Sequence, residues 1–176
     1  MSMGTIVTIV LLMSVLVLGL FFVQKIFSSG SDAIDSIDSQ VQNEIAKLFS
    51  EEGKSLAIYP SDRDINIKAG DDPKGFAFSI KNKDVESHEY QYTVFAQEGF
   101  DYLEKCGSTM TRQKADSYLL LTSGSNSIGP GDTMELPELV RFDVPEIAPP
   151  CTIPYKLEID QDGVDFQGAT VFVTIK

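Results

Sequence analysis

Residues 155–175 read YKLEIDQDGVDFQGATVFVTI. Apolar and polar side chains alternate in Tyr155-Lys156-Leu157-Glu158-Ile159 and again in Val171-Phe172-Val173-Thr174-Ile175. A period of two is that of a strand with one buried face. Between the two runs stands Asp162-Gly163, a hairpin dipeptide whose glycine takes the left-handed conformation without steric cost. Working outward, Phe76-Ala77-Phe78-Ser79-Ile80 alternates in the same way. The pattern predicts strands at Leu56–Tyr59, Ile65–Ala69, Phe76–Lys81, Tyr90–Gln97, Tyr118–Thr122, Met134–Val144, Tyr155–Asp160 and Ala169–Ile175. Turn chemistry separates them at Pro60-Ser61-Asp62, Gly70-Asp71-Asp72-Pro73 and Gly129-Pro130-Gly131-Asp132.

Short strands with turns at this spacing predict an antiparallel, immunoglobulin-like sandwich over residues 54–176. Nothing reads as a strand–helix–strand unit, which disfavours a parallel nucleotide-binding sheet. Two stretches break the alternation, Gly99–Ala115 and Pro145–Pro154, and each holds one cysteine. Cys106 and Cys151 are read as one disulfide clamping these irregular segments, which implies an oxidising compartment. With His88 the only histidine and no C-x-x-C pair, a zinc site is poorly supported. His88 sits in a polar turn, Asp84–Glu89, and reads as a solvated loop residue. Gly70 to Gly75 has P-loop spacing, but Phe76 stands where the phosphate-binding lysine must be. Asp160, Asp162 and Asp165 look like a fragment of a calcium loop that lacks its closing glutamate, and a hairpin turn explains them more cheaply. No catalytic residue, metal ligand or cofactor site is predicted, so the expectation is a protein that is not an enzyme.

Charge is unevenly placed. Lys25 is the only basic residue before position 31, and the first acid is Asp32. Of 14 basic groups, 13 therefore share residues 31–176 with all 26 acidic ones, a balance of −13. Such a surface argues against a nucleic-acid partner and suits water and salt.

The first 24 residues carry no charge. Thr5–Val23 reads TIVTIVLLMSVLVLGLFFV, and Gly4–Phe27 is long enough to cross a bilayer core as a retained helix. Small or hydroxyl residues Gly4, Thr8, Ser14 and Gly19 allow close helix approach. Beyond Ser28-Ser29-Gly30-Ser31, Ile34, Ile37, Val41, Ile45, Leu48 and Phe49 recur at helical spacing, opposite Asp35, Asp38, Gln42, Glu44 and Lys47. That apolar stripe packs either on copies of itself or on the chain's own β domain. The predicted organisation is a helical segment, residues 1–50, followed by the sandwich, residues 54–176: an α+β fold led by one long hydrophobic helix.

Met3-Gly4-Thr5-Ile6-Val7, the uncharged helix, its amphipathic continuation and a β-rich head together resemble the mature archaeal type IV pilin and archaellin superfamily. The resemblance covers roughly residues 1–30 in sequence. Bacterial type IV pilins carry a glutamate at mature position five, where this chain has Thr5. The resemblance implies a processed N-terminus and a helical homopolymer at the cell surface, anchored in the membrane before assembly. Its core is implied to be built from Gly4, Thr5, Ile6, Ile9, Leu12, Leu16, Gly19, Phe22, Val23 and Ile26. The alternative expectation is a monomeric, membrane-anchored binding or stator-like module of the envelope.

Overall fold

The computed structural model describes residues 4, 7, 8, 10–18, 41–50, 53–107 and 109–176. The chain divides into two compact units, Met1–Val41 and Gln42–Lys176. In the first, the described residues 4, 7, 8 and 10–18 are helical and exposed.

The elements that follow are α1 (residues 41–50), β1 (Leu56–Tyr59), β2 (Asp64–Ile67), β3 (Lys74–Ile80), β4 (His88–Ala96), α2 (Tyr102–Cys106), α3 (Arg112–Asp116), β5 (Ser123–Ile128), β6 (Glu138–Phe142), β7 (Cys151–Gln161) and β8 (Val164–Ile175). They build two facing sheets, one of three strands ordered β1-β3-β6 and one of five ordered β2-β8-β7-β4-β5. All pairings are antiparallel except β2 with β8, which run parallel. The alternating residues fill the space between the sheets: Phe76, Phe78 and Ile80 from β3, Val140 and Phe142 from β6, Tyr155, Leu157 and Ile159 from β7, Val171 and Val173 from β8. Asp162-Gly163 forms the β7–β8 turn with both residues at positive φ, 52° and 80°, the backbone twist that matches a hairpin.

The expected α+β fold with one long hydrophobic helix is corrected. Among the described residues the protein is mostly β and the helices are short, and the sandwich describes the sheet part alone. No helix among the described residues is long and apolar enough to cross a membrane. The predicted strand Tyr118–Thr122 is also absent. α3 ends at Asp116, Ser117 caps it, and only Leu119 bridges to Phe142. Gly99–Ala115, expected to be irregular, contains α2 and all but the last residue of α3, while Ser123–Ile128 is a strand.

α1 settles where part of the amphipathic stripe goes. Ile45 and Phe49 are buried, 3% and 9% exposed, and Leu48 is half-buried. Ala57, Ala77 and Ser79 alternate with core residues, so they lie on the outer face of the three-stranded sheet, yet they too are buried. Ile45, Ala46 and Phe49 line a groove with Ser79 and Met134, and Leu48 lines one with Leu56 and Ala57. Small side chains on that face let the helix approach closely. Burying Ile45 and Phe49 there contributes about 1.5–3 kcal/mol each. Residues 42–50 thus close on their own sandwich. Gly75 is needed for the neighbouring strand pair, because a Cβ there would meet the Val140 carbonyl oxygen at 1.7 Å.

Candidate interaction surface

The residues singled out in the sequence fall into three groups. Cys106, at the end of α2, is bonded to Cys151 at the start of β7, with Cα atoms 5.0 Å apart. Asp101 starts α2 by accepting from the Glu104 amide, and Tyr102 of the same helix donates to the Gln97 carbonyl at 2.7 Å. Burial pushes the Tyr102 phenol up to about 12, so it stays a donor. Gly4, Leu12 and Leu16 are helical and exposed, whereas Thr5, Ile6, Ile9, Gly19, Phe22, Val23 and Ile26 lie outside the described residues. Of the helix extension, Val41 and Leu48 are half-buried and Ile45 is buried, while Ile34 and Ile37 lie outside the described residues. Among the described residues no three His, Cys, Asp or Glu side chains are grouped to hold a metal.

His88 is not a free loop residue. It opens β4 and is clamped between two aspartates, Nδ1 to Asp162 at 2.6 Å and Nε2 to Asp84 at 3.3 Å. Asp162 also accepts from the Glu89 amide, and Gln161 donates to Asp84. The hydrogen bond with Asp162 is the largest cause raising the imidazole above 6.5, followed by the charges of Asp162, Asp84 and Glu86. The Glu89 amide and then His88 hold the Asp162 carboxyl below 3.8. A raised histidine stabilises fully below its unfolded value and loses that contribution as pH rises through the folded one. A depressed aspartate stabilises above its unfolded value and loses it as pH falls. The clamp therefore holds best between 3.8 and 6.5. Proton NMR of this single histidine is expected to show a midpoint above 6.5 that falls in Asp162→Asn. A wild-type midpoint at or below 6.5 would contradict the clamp.

Sequence reasoning missed one further feature. β8 is twelve residues long, but β2 covers only Phe172–Ile175 of its outer edge. Residues 164–171, apart from Phe166 at a bulge, pair with β7 on one side and with no strand on the other among the described residues. The Phe172 amide donates to the Arg63 carbonyl at 2.8 Å. Backbone groups two residues apart point the same way, so those of Gly168 and Thr170 face the uncovered edge. A shallow polar hollow of about 730 Å³ lies there, lined by Asp62, Arg63, Lys156, Glu158, Asp165 and Phe172 among others. Lys156 pairs with Glu158 at 2.5 Å, whereas Arg63 and Asp165 have no ion pair among the described residues.

No family model matches the chain, and no curated protein matches it. Among solved structures it is similar to WR4, an MSP family member of C. elegans, at 8% identity and a TM-score of 0.43, covering 70% of this chain and 99% of that one. It is also similar to the periplasmic chaperone SfaE, at 12% identity and a TM-score of 0.38, covering 69% of this chain and 56% of that one. For the class 5 fimbriae chaperone CfaA the values are 13% and 0.37, covering 68% and 55%. This chain spans little more than half the length of those two chaperones. The resemblance to archaeal pilins and archaellins is corrected: the long apolar helix on which it rests is not found among the described residues.

Proposed function

We propose that this chain is a non-catalytic structural protein that works outside the cytoplasm and associates with itself through its apolar N-terminal residues. One observation carries the reading. Residues 10–18 are helical, and Val10, Leu11, Leu12, Met13, Val15, Leu16, Val17 and Leu18 are each between 58% and 69% exposed. Successive residues on a helix point about 100° apart, so this run is apolar all the way round. The hydroxyls leave no polar face. Thr8 donates to the Gly4 carbonyl at 2.9 Å, and Ser14 to those of Val10 and Leu11. An exposed apolar patch of this extent marks a contact surface. A groove on one partner would cover one side, whereas several copies of the same segment cover all of it. The membrane shields these side chains before assembly, the acidic sandwich keeps the exterior solvated, and the Cys106–Cys151 bond suits an oxidising exterior.

The test uses the full chain freed from detergent, followed by sedimentation and negative-stain electron microscopy. Wild type is expected to form pelletable polymers. Leu12→Asp or Leu16→Asp should lower the assembled fraction roughly a hundredfold, since burying a carboxylate costs several kcal/mol. Thermal unfolding of the sandwich should stay unchanged in both variants. Polymers that survive either change would overturn self-association through this segment, and a wild-type chain that stays monomeric would favour the envelope binding module.

A further inference from the structure

We infer that β5 is a second contact between copies of this chain, formed when two β5 edges pair antiparallel across a twofold axis at Ser125. The contact joins two five-stranded sheets into one, and it does not involve the apolar N-terminal residues.

The edge is free and regular. β5 ends the five-stranded sheet, and no strand among the described residues lies on its outer side. Its pairing with β4 runs without a break from Ser123 opposite Thr93 to Ile128 opposite His88. Just before it, the Thr122 carbonyl accepts from the Val94 amide at 2.7 Å. Backbone groups two residues apart point the same way, so Gly124 and Asn126 also face β4. Ser123, Ser125 and Ser127 therefore turn their amides and carbonyls outward, and their side chains are exposed. Native edges are commonly blunted by a charge, a proline or a bulge, and β5 has none of these. The other edges are short, covered or broken. β1 and β2 have four residues each; β1 runs into Pro60 and β2 opens with Asp64. The outer edge of β6 is capped by Leu120, which donates to the Arg141 carbonyl at 3.0 Å. The uncovered part of β8 is interrupted by the bulge at Phe166 and closed at Phe172 by Arg63.

The register selects a second copy as the partner. A twofold at Ser125 sets Ser125 opposite its own mate and Ser123 opposite Ser127 of the other copy. Every outward residue then meets an outward residue, and each such pair exchanges two backbone bonds, about six in all. Moving the axis to Gly124 or Asn126 leaves one serine of each copy without a strand partner. The same alignment sets Asn126 opposite Gly124, where a Cβ would meet the Tyr92 hydroxyl at 2.6 Å and only glycine fits.

Charge permits the approach. A chain of net charge −12 repels its own kind, and β5 is six residues without a charged side chain. On the adjoining strand, Glu89 stands beside Ser127. Across the twofold the two Glu89 positions are about 20 Å apart, from strand spacing and rise. That exceeds the screening length of about 8 Å in physiological salt, so the two do not oppose each other.

The experiment follows dimerisation of the full chain by sedimentation velocity and native mass spectrometry. It is run at roughly millimolar concentration, since a contact of this size belongs to the weak class. All variants carry Leu12→Asp, so that apolar association does not contribute. The parent is expected to dimerise. Ser125→Lys and Ser125→Glu each set like charges opposite one another on the axis, and each should raise the dimer dissociation constant roughly fivefold. An equimolar mixture of the two, with one isotope-labelled, should recover dimerisation as heterodimer. Ser125→Pro removes an outward amide without touching the bonds to β4, so it should keep the parent's thermal unfolding and lose the dimer. A monomeric parent would overturn the inference. So would a dimer indifferent to Ser125→Lys and Ser125→Pro, or single-charge variants that mixing does not rescue. None of these outcomes depends on the N-terminal contact.

Discussion

Replacing Cys106 and Cys151 together by alanine is expected to lower the unfolding free energy by about 4 kcal/mol, the chain-entropy value for a closed loop of this size. The bond spans a sequence separation of 45, and that loop contains α3, β5 and β6. β6 is an edge strand of the three-stranded sheet and β5 an edge strand of the five-stranded one. Once the bond is cut, both edges share one long connection free to open from either end. Cys106 is buried and Cys151 half-buried, so the paired change leaves no lone thiol and only a small void. Urea unfolding followed by fluorescence and circular dichroism measures the loss. A difference below about 1 kcal/mol would mean that the sheets hold α2 to β7 without the bond.

Phe142→Ala is expected to cost about 3–5 kcal/mol, the range for removing a fully buried aromatic ring from a core that relaxes only in part. Phe142 is 0% exposed, its ring lies 4.7 Å from that of Tyr155 and 6.3 Å from that of Phe76, and its backbone bridges to Leu119. It therefore packs against residues from both sheets at the end of β6. Tyr155 also donates to the Ala115 carbonyl at 2.8 Å, and burial raises its phenol well above 10. The void would thus open beside a buried hydrogen bond that anchors α3. Phe142→Leu, which keeps most of the volume, should cost less than about 1.5 kcal/mol. Equal losses for the two variants would argue that the pocket collapses freely around position 142.

The sheets were legible where one face of a strand meets the core. β1 matches its predicted span, and β3, β7 and β8 differ from theirs only at their ends, because Phe76-Phe78-Ile80, Leu157-Ile159 and Val171-Val173-Ile175 alternate cleanly. β5 was not legible, since Ser123-Gly124-Ser125-Asn126-Ser127 offers no apolar period. Pairing with β4 forces it to extend, and Gly124 leaves room for Tyr92, whose hydroxyl would lie 2.6 Å from a Cβ there. α2 and α3 escaped notice because five residues carry too little periodicity, although Asp101 with Glu104 is a readable start signal. The uncovered edge of β8 could not be read at all. It arises from the mismatch between a strand of four residues and one of twelve, brought together in parallel from opposite ends of the domain. The buried amide of Asn82 is similar. It donates to the Glu86, Ile128 and Gly129 carbonyls, partners that sequence spacing does not announce.

The Cys106–Cys151 bond also changes what the protein does under load. A domain pulled from its two ends can lengthen only by the chain that is free to pay out. The covalent tie withholds the 45 positions it spans, roughly 150 Å of extended polypeptide. A sandwich that yields to tension would therefore stop short with α3, β5 and β6 still inside the closed loop, tethered and able to refold in place. In an oxidising medium the domain behaves as a spring with a stop, and a reducing one removes the stop.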